Sequence, residues 1–378
     1  MNSSIQHLEE GITLIASEDT RIEGSAIQQL QHVLNLPGMY RVAGMPDLHP
    51  GQGYPVGAAF FSVGRFYPAL IGNDIGCGMS LWRTNLDKAK NTTDRLEKRL
   101  GNIDGPLDEA WADEIASLNL PETNFESSLG TIGGGNHFAE IQQIEEIYDQ
   151  EALNSLEIDK RQLLLLVHSG SRGLGEKILR QQIDRHNHHG LQEGTEEATA
   201  YLTEHETALR FAQANRRLIA LRILERLRAE GEVVVDLNHN LLVAAEIDGH
   251  KGWLHRKGAS PSNAGLALIP GSRGDFSFLV RPLPSDEGLQ SIAHGAGRKW
   301  MRSECKDRLS SRYRVEQLLK TPLGNRVVCR DKNLMFEEAP EAYKRIDSII
   351  ESLVQAGLIT LIARLRPVLT YKTSRELS

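Results

Sequence analysis

Cysteine is scarce in this chain: three in 378 residues, at Cys77, Cys305 and Cys329. Three thiols make no disulfide framework, and they are expected to stay free in a reducing cytoplasm. No apolar run approaches the ~20 residues that a membrane-spanning helix needs. The opening stretch MNSSIQHLEEGITLIASEDT has no basic segment followed by an apolar one, so a secretory signal is not expected. Aromatic residues are only 6% of the chain, but 40% apolar content suffices for an ordinary core and 25% charged content argues against disorder. Positive charge is not in excess either: 43 Lys and Arg stand against 50 Asp and Glu, a net charge of −7. That excludes a protein that coats nucleic acid non-specifically, while a local basic groove stays compatible with it. Internal repeats, low-complexity tracts and an obvious linker are missing too.

Glycine, in contrast, is plentiful, with 34 residues. It is gathered in blocks at 51–57, 72–78, 130–135, 170–175, 271–274 and 295–297. One such block reads as a tight turn; several, most with His, Cys or Asp inside or beside them, point to a composite site where backbone approaches a ligand closely. The periodicity predicts a helix over 24–35, strand–glycine loop–strand over 41–84, and a helix over 175–188. LLLLV at 163–167 reads as a strand buried on both faces. The longest helix is expected over 196–230, strands at 233–237 and 266–282, a helix over 336–356, and a closing strand over 358–371. Six arginines from Arg210 to Arg228 form a cationic stripe on the long helix, read first as a solvated, salt-bridged face and otherwise as an RNA contact. The expected fold class is α+β: a single large mixed domain over residues 1–378, with the helical segment of about 175–230 packed on it. Its glycine-rich loops would converge on a central metal site.

The chemistry-bearing residues sit in those loops. Asp74 and Cys77, three apart, can point at one ion; carboxylate, thiolate and imidazole together suit Zn, Mn, Fe or Co. Alone, a cysteine is more often an inert buried thiol. Gly133-Gly134-Gly135 precedes Asn136 and His137 and offers backbone N–H groups to phosphate. His168-Ser169-Gly170-Ser171-Arg172-Gly173 lies between a strand and a helix start, which suits an anion. It is neither a Walker A loop nor a Rossmann fingerprint. His239 closes a strand. Arg256 and Lys257 are adjacent cations, Pro270-Gly271-Ser272 is a further loop, and His294 stands among small residues with Arg298 four later. Of thirteen histidines, the glycine-associated His49, His137, His168, His239 and His294 are the functional candidates. His186, His188 and His189 read as a solvated helix end.

The motifs MPDLHPGQGYPVG, IGNDIGCG, GTIGGGNHFAEI, LVHSGSRGLG, NHN, HRKGA, IPGS and SIAHGAGR occur in that order. Together they resemble the RtcB family of GTP-dependent RNA ligases, and EAPEAYKRID and PVLTYK resemble the family's ending. The likeness runs from about residue 25 to 373. It implies two Mn²⁺ ions bridged by Cys77, one joined by Asp74 and His137, the other by His168 and His239. It implies His294 as the guanylylated nucleophile and Asp47 as a supporting carboxylate. Asn136 and Arg298 would hold phosphates, and Glu140 and Lys372 would touch guanine. Tyr343 would pack on the guanosine, and Ser272 and Lys257 would also line the nucleotide site. The implied substrates are GTP and RNA ends carrying 3′-phosphate or 2′,3′-cyclic phosphate and 5′-hydroxyl. The implied intermediates are histidine–GMP and an RNA(3′)pp(5′)G end. Arg172, Arg256, Lys257, Arg273, Arg298, Lys299 and Arg302 would form the local basic groove. An archease-type activator is one more candidate partner.

Three departures point to a divergent bacterial-type paralogue. Arg273-Gly274-Asp275 follows the IPGS loop where many members have Met then Gly, TSRELS extends past Lys372, and the chain is shorter than many members. The alternative expectation is a metal-dependent phosphoesterase that opens cyclic phosphates without ligating. It would need the metal ligands but not His294, Glu140 or Lys372.

Overall fold

In the strand Gln162–Ser169 every position from Leu163 to Val167 is aliphatic, the pattern of a strand covered on both faces. The computed structural model describes residues 4–374 and shows that double cover. Leu163, Leu165 and Val167 pack against the long helix Glu196–Leu227, while Leu164 and Leu166 belong to the opposite core with Leu279 and Ile362. The strand is central to an eight-stranded sheet. Seven strands follow the order Gly231–Asn238, Gly78–Asp87, Gln162–Ser169, Phe138–Ile147, Ile359–Thr373, Ser277–Pro282 and Ala267–Pro270. Arg326–Cys329 adds parallel to Ile359–Thr373. A six-stranded sheet runs Ile5–Glu9, Ile12–Ile15, Met39–His49, Val56–Ser62, His250–Lys257 and Asn240–Ile247. The two sheets and the helix Ile346–Gln355 share one core, which joins Met45, Phe61 and Leu254 to Ile269, Phe278 and Ile349. The architecture is thus mixed α+β. Among the described residues no helix is long and apolar enough to cross a membrane.

The long helix begins where its capping chemistry directs. The Thr195 side chain accepts from the Ala198 N–H, and Glu196 and Glu197 occupy the first turn at the positive end of the dipole. Its arginines do not form one cationic face. Arg210, Arg217, Arg226 and Arg228 are exposed, but Arg216 is 0% and Arg222 8% exposed. The two inward residues exchange water for buried carbonyl partners that linear spacing does not reveal. The helix expected over 336–356 is two helices, Lys332–Glu337 and Ile346–Gln355, separated by a short 3₁₀ turn at Pro340–Ala342. Proline lacks the N–H that a continuing helix requires. The helix expected over 175–188 spans Gly173–His186, with His188 and His189 exposed beyond its end.

Antiparallel register brings the ends of four strands to one rim. Gly78 opposes both Ser169 and Asn238, and Phe138 opposes His168. Cys77 and His137 immediately precede two of these strands, His168 is the penultimate residue of the third, and His239 immediately follows the fourth. At the C-terminus, Tyr371 Oη donates to Asp104 Oδ1 at 2.8 Å and the Ser374 N–H donates to Asp104 Oδ2 at 2.6 Å. These bonds bracket the buried Lys372. The rest of the extension, 375–378, lies outside the described residues.

Candidate active site

At that rim the ring of His137 approaches from one side and that of His168 from the other. Each Nε2 lies 3.3 Å from the Cys77 Sγ. Asp74 Oδ2 is 2.8 Å from His137 Nε2. Gly170 permits this packing, because a Cβ there would sit 2.1 Å from Asp74 Oδ1. The donor atoms fall into two triads, Asp74–Cys77–His137 and Cys77–His168–His239, each within 4.8 Å mutually. Cys77 belongs to both. The His168 ring places Nδ1 3.2 Å from the Asn136 carbonyl, which directs an Nε2 lone pair into the cluster.

The electrostatics suit a cationic guest. Burial holds His168 and His239 well below the ordinary imidazole range, reinforced by neighbouring imidazoles. Both therefore keep free lone pairs at neutral pH. Burial and the adjacent Asp74 push the Cys77 thiol well up. Burial opposes ionisation of Asp74, yet the charge and hydrogen bond of His137 hold its pKa below the usual range. One oxygen of Asp74 and Nδ1 of His137 are buried without a hydrogen-bond partner. A thiol, a carboxylate and three imidazoles, partly unsatisfied and tightly clustered, fit divalent transition-metal ions.

His294 stands beside this cluster, its ring centroid 4.7 Å from that of His239. Its Nδ1 is 2.7 Å from Oδ2 of Asp47, a contact of proximity without hydrogen-bond alignment, and Asp47 is fully buried. Lys344 Nζ donates to the Leu48 carbonyl at 2.5 Å and so holds the Asp47 segment in place. Gly297 has φ of 68°, and a Cβ on it would lie 2.2 Å from the Asp47 carbonyl oxygen. Only glycine fits there without strain. His49 also faces this site; burial lowers its pKa to about 4, against the raising influence of Asp47.

A cavity of about 240 Å³ opens from His294. Asn136, Glu140, Ser272, Arg298, Tyr343 and Lys372 all line it, together with His168 and Arg302. Glu140 is buried; it accepts from Gln142 Nε2 at 2.6 Å and from the Thr370 hydroxyl. Burial raises its pKa to about 7, against these hydrogen bonds and Lys372. Lys257 does not reach the cavity wall. Its ammonium donates to the Tyr54 carbonyl at 3.1 Å, and burial lowers its pKa to about 8.

The expected basic groove is likewise smaller than the sequence suggests. Arg256 is 3% exposed and bonded to Ser291 Oγ and the Gln290 carbonyl. Arg273 is 7% exposed and donates to Met335, although its side chain borders the cavity. Arg298 borders the cavity with its donors engaged by Trp300, Glu337, Glu338, Tyr343 and Cys305. Glu338 is a hub that the sequence reading missed. It is 3% exposed and reaches Arg298 at 3.1 Å, Tyr343 Oη at 2.5 Å and Lys372 at 3.9 Å. It opens the EAPEAYK motif, so its signal was present. Its pairing with residues far along the chain was not.

A family model described as tRNA-splicing ligase RtcB matches residues 29–108 and 107–373. The chain belongs to the RtcB family. It is 55% identical over 374 residues to the RNA-splicing ligase RtcB2 of Escherichia coli strain ATCC 25922, covering 99% of both chains. It is 30% identical to the RNA-splicing ligase RtcB of Escherichia coli K12, covering 98% of this chain and all of that one. It is 31% identical to the tRNA-splicing ligase RtcB of Nanoarchaeum equitans, covering 93% of this chain and 92% of that one. The bacterial RtcB relative that aligns almost end to end is in keeping with the paralogue expected from the departures.

Proposed function

We propose that this chain is an RNA ligase that joins 3′-phosphate or 2′,3′-cyclic phosphate ends to 5′-hydroxyl ends at the expense of GTP. Residues 1–378 would act as one catalytic domain. The observation that carries the reading is His294, set between buried Asp47 and the Cys77 cluster on the wall of the cavity. A neutral imidazole is a competent nucleophile toward phosphorus, and its phosphoramidate is labile enough to pass the group onward. His294 attacks the α-phosphate of GTP, forms an N–P bond and displaces pyrophosphate. Asp47, which accepts from the His294 backbone N–H at 3.3 Å, would offset the positive charge the ring acquires. Asp74, Cys77, His137, His168 and His239 would hold two Mn²⁺ ions, which when bound neutralise phosphate charge. GMP then passes from His294 to the RNA 3′-phosphate. The 5′-hydroxyl of the second strand displaces GMP from the RNA(3′)pp(5′)G end.

Glu140 and Lys372 would bind guanine at the far end of the cavity, Tyr343 would pack on the guanosine, and Asn136 and Ser272 would position phosphates. An enzyme that merely opened cyclic phosphates would need none of His294, Glu140 and Lys372, and all three border one cavity. The direct test is incubation of metal-loaded protein with GTP and an RNA pair bearing 3′-phosphate and 5′-hydroxyl ends. A joined product that requires GTP supports ligation; opening of a cyclic phosphate with no joined product overturns it. An archease-type activator is a partner to add where turnover stops after one round.

Glu140 makes GTP recognition pH-dependent. A carboxylate accepts hydrogen bonds from guanine N–H groups, and a carboxylic acid accepts them poorly. Its pKa of about 7 places the ionised form on the alkaline side of neutrality. GTP affinity is expected to fall as pH drops below about 7 and to level off above it. Glu140→Gln is expected to flatten that profile while weakening binding, as measured by GTP titration across pH.

The RNA body must lie outside so small a cavity. Segment 299–314, KWMRSECKDRLSSRYR, carries six cations against two acids in a chain of net charge −7. Arg302 stands at the cavity rim, and Lys306, Arg308, Arg312 and Arg314 are exposed beyond it. The Lys299 ammonium lies 5.3 Å and the Arg308 guanidinium 5.2 Å from the centre of the Trp300 ring. Combined Lys306→Glu, Arg308→Glu and Arg312→Glu replacements are expected to raise the KM for RNA. They should also lower the salt dependence of binding by about one unit of slope per lost phosphate contact. Formation of the GMP adduct without RNA should be unaffected.

A further inference from the structure

The long helix sends one fully buried arginine beneath the cluster. Arg216 NH1 donates to the Gly76 carbonyl at 2.8 Å and to the Ser169 carbonyl at 3.0 Å. Its NH2 donates to Asn238 Oδ1 at 2.7 Å, and its Nε donates to Asp236 Oδ1 at 2.7 Å. The first three partners have a common property in the chain. Gly76 immediately precedes Cys77, Ser169 immediately follows His168, and Asn238 immediately precedes His239. These three are the members of one donor triad. A single guanidinium therefore touches the chain neighbour of every residue in that triad, while touching none of the donor atoms.

We propose that Arg216 is a positioning residue that sets the spacing of Cys77, His168 and His239 for metal binding. The proposal rests on the two-ion reading of the site. The planar fork presents donors in fixed directions, so three segments from distant parts of the sequence are held to one rigid template. Lysine offers a single ammonium point and cannot reproduce that fork. Asp236 neutralises the charge, which makes burial of the guanidinium tolerable. Asn215, the preceding residue, extends the brace. It donates to the Ser169 hydroxyl oxygen at 3.1 Å and to the Gly170 carbonyl at 3.2 Å. The backbone adds a direct tie, His239 N–H to the Cys77 carbonyl at 2.8 Å. That tie joins two of the three segments and the strand register pairs Gly78 with Ser169 of the third; Arg216 adds side-chain bonds to all three.

Arg222 supplies a matched control on the same helix. It too is a buried arginine donating to carbonyls, those of Ile103, Gly105 and Gly130, none adjacent to a donor residue. The test is titration of metal-stripped protein with Co²⁺ alone, following the thiolate-to-cobalt charge-transfer absorption that Cys77 produces. Arg216→Lys is expected to bind Co²⁺ about 10- to 100-fold more weakly, the range for residues that orient ligands, with a diminished thiolate band. Arg222→Lys is expected to lose thermal stability yet keep the wild-type band and affinity. Should Arg216→Lys fail to give a cooperative melt, Asn238→Ala removes one arm of the fork and is expected to weaken Co²⁺ binding in the same direction. Wild-type affinity and band in Arg216→Lys, or in Asn238→Ala where that substitutes for it, would overturn the proposal. Equal losses in Arg222→Lys would overturn it too. A wild-type protein that gives no thiolate band would instead overturn the two-ion reading itself.

Discussion

Alanine at His294 is expected to leave a folded protein that takes up no label from GTP radiolabelled at its α-phosphate. The side chain is mostly buried but borders an open cavity, so its removal enlarges existing space and strains nothing. The metal donors are untouched, so divalent-ion uptake should persist. The proposed nucleophile is gone; His137, His168 and His239 belong to the donor triads with Cys77, and His49 is the other imidazole that lines the cavity. Adduct formation should therefore fall by at least about 10³-fold, the scale seen when a nucleophile is removed. In the wild type the adduct should be acid-labile and alkali-stable, as a phosphoramidate is. A wild-type adduct that persists in His294→Ala would assign the nucleophile elsewhere. Asp47→Asn gives the companion result. It keeps the shape but removes the charge beside the ring, so adduct formation should slow without vanishing.

Cys77→Ala should separate fold from metal. Cys77 is the one donor shared by both triads, so its loss removes a donor from each at once. Changes to residues that only orient ligands lower metal affinity about 10- to 100-fold. Loss of a shared donor should exceed that range. The buried thiol is small, and without metal it is a modest apolar filler, so the metal-free variant should melt close to metal-free wild type. The contrast appears on adding Mn²⁺. At about 100 times the dissociation constant a ligand that binds only the native state adds ~2.7 kcal/mol of stability. Wild type should show the corresponding rise in Tm and Cys77→Ala little or none, with adduct formation and ligation lost together. An undiminished rise in the variant would show that Mn²⁺ stabilises the protein at some other place.

Much of this site was legible before any coordinates. Asp74, Cys77, His137, His168 and His294 each sit in a short glycine-flanked motif, His239 follows a strand with no glycine beside it, and the structure brings all six to one place. For the first five, local composition is a signal because glycine lets backbone pack closely beside a donor, as Gly170 does beside Asp74. Lys257, Arg256 and Arg273 show where that logic stops. Each lies in or beside an equally suggestive motif, yet Lys257 turns to Tyr54, Arg256 to Ser291 and Arg273 to Met335. A cation's partner is set by whichever carbonyl or hydroxyl is near after folding, and spacing along the chain carries no record of it. Glu338 and Arg216 are the converse case. Glu338 lies in a recognisable motif and Arg216 does not, yet each gains its place only from partners elsewhere in the chain, up to 40 residues away for Glu338 and 140 for Arg216.

By itself, then, the sequence determined the family, the alternation of strands and helices, the strand covered on both faces and the set of donor types. Those properties are encoded locally, in side-chain period, in capping residues and in glycine placement. The resemblance already implied a shared Cys77 and a supporting Asp47. Only the tertiary structure decided that Lys257 turns to Tyr54, that Glu338 joins Arg298, Tyr343 and Lys372, and that the arginines of the long helix divide between solvent and core. The physical reason is antiparallel register. Pairing Gly78 with both Ser169 and Asn238 aligns strand ends that are far apart in the chain, and that alignment creates the site.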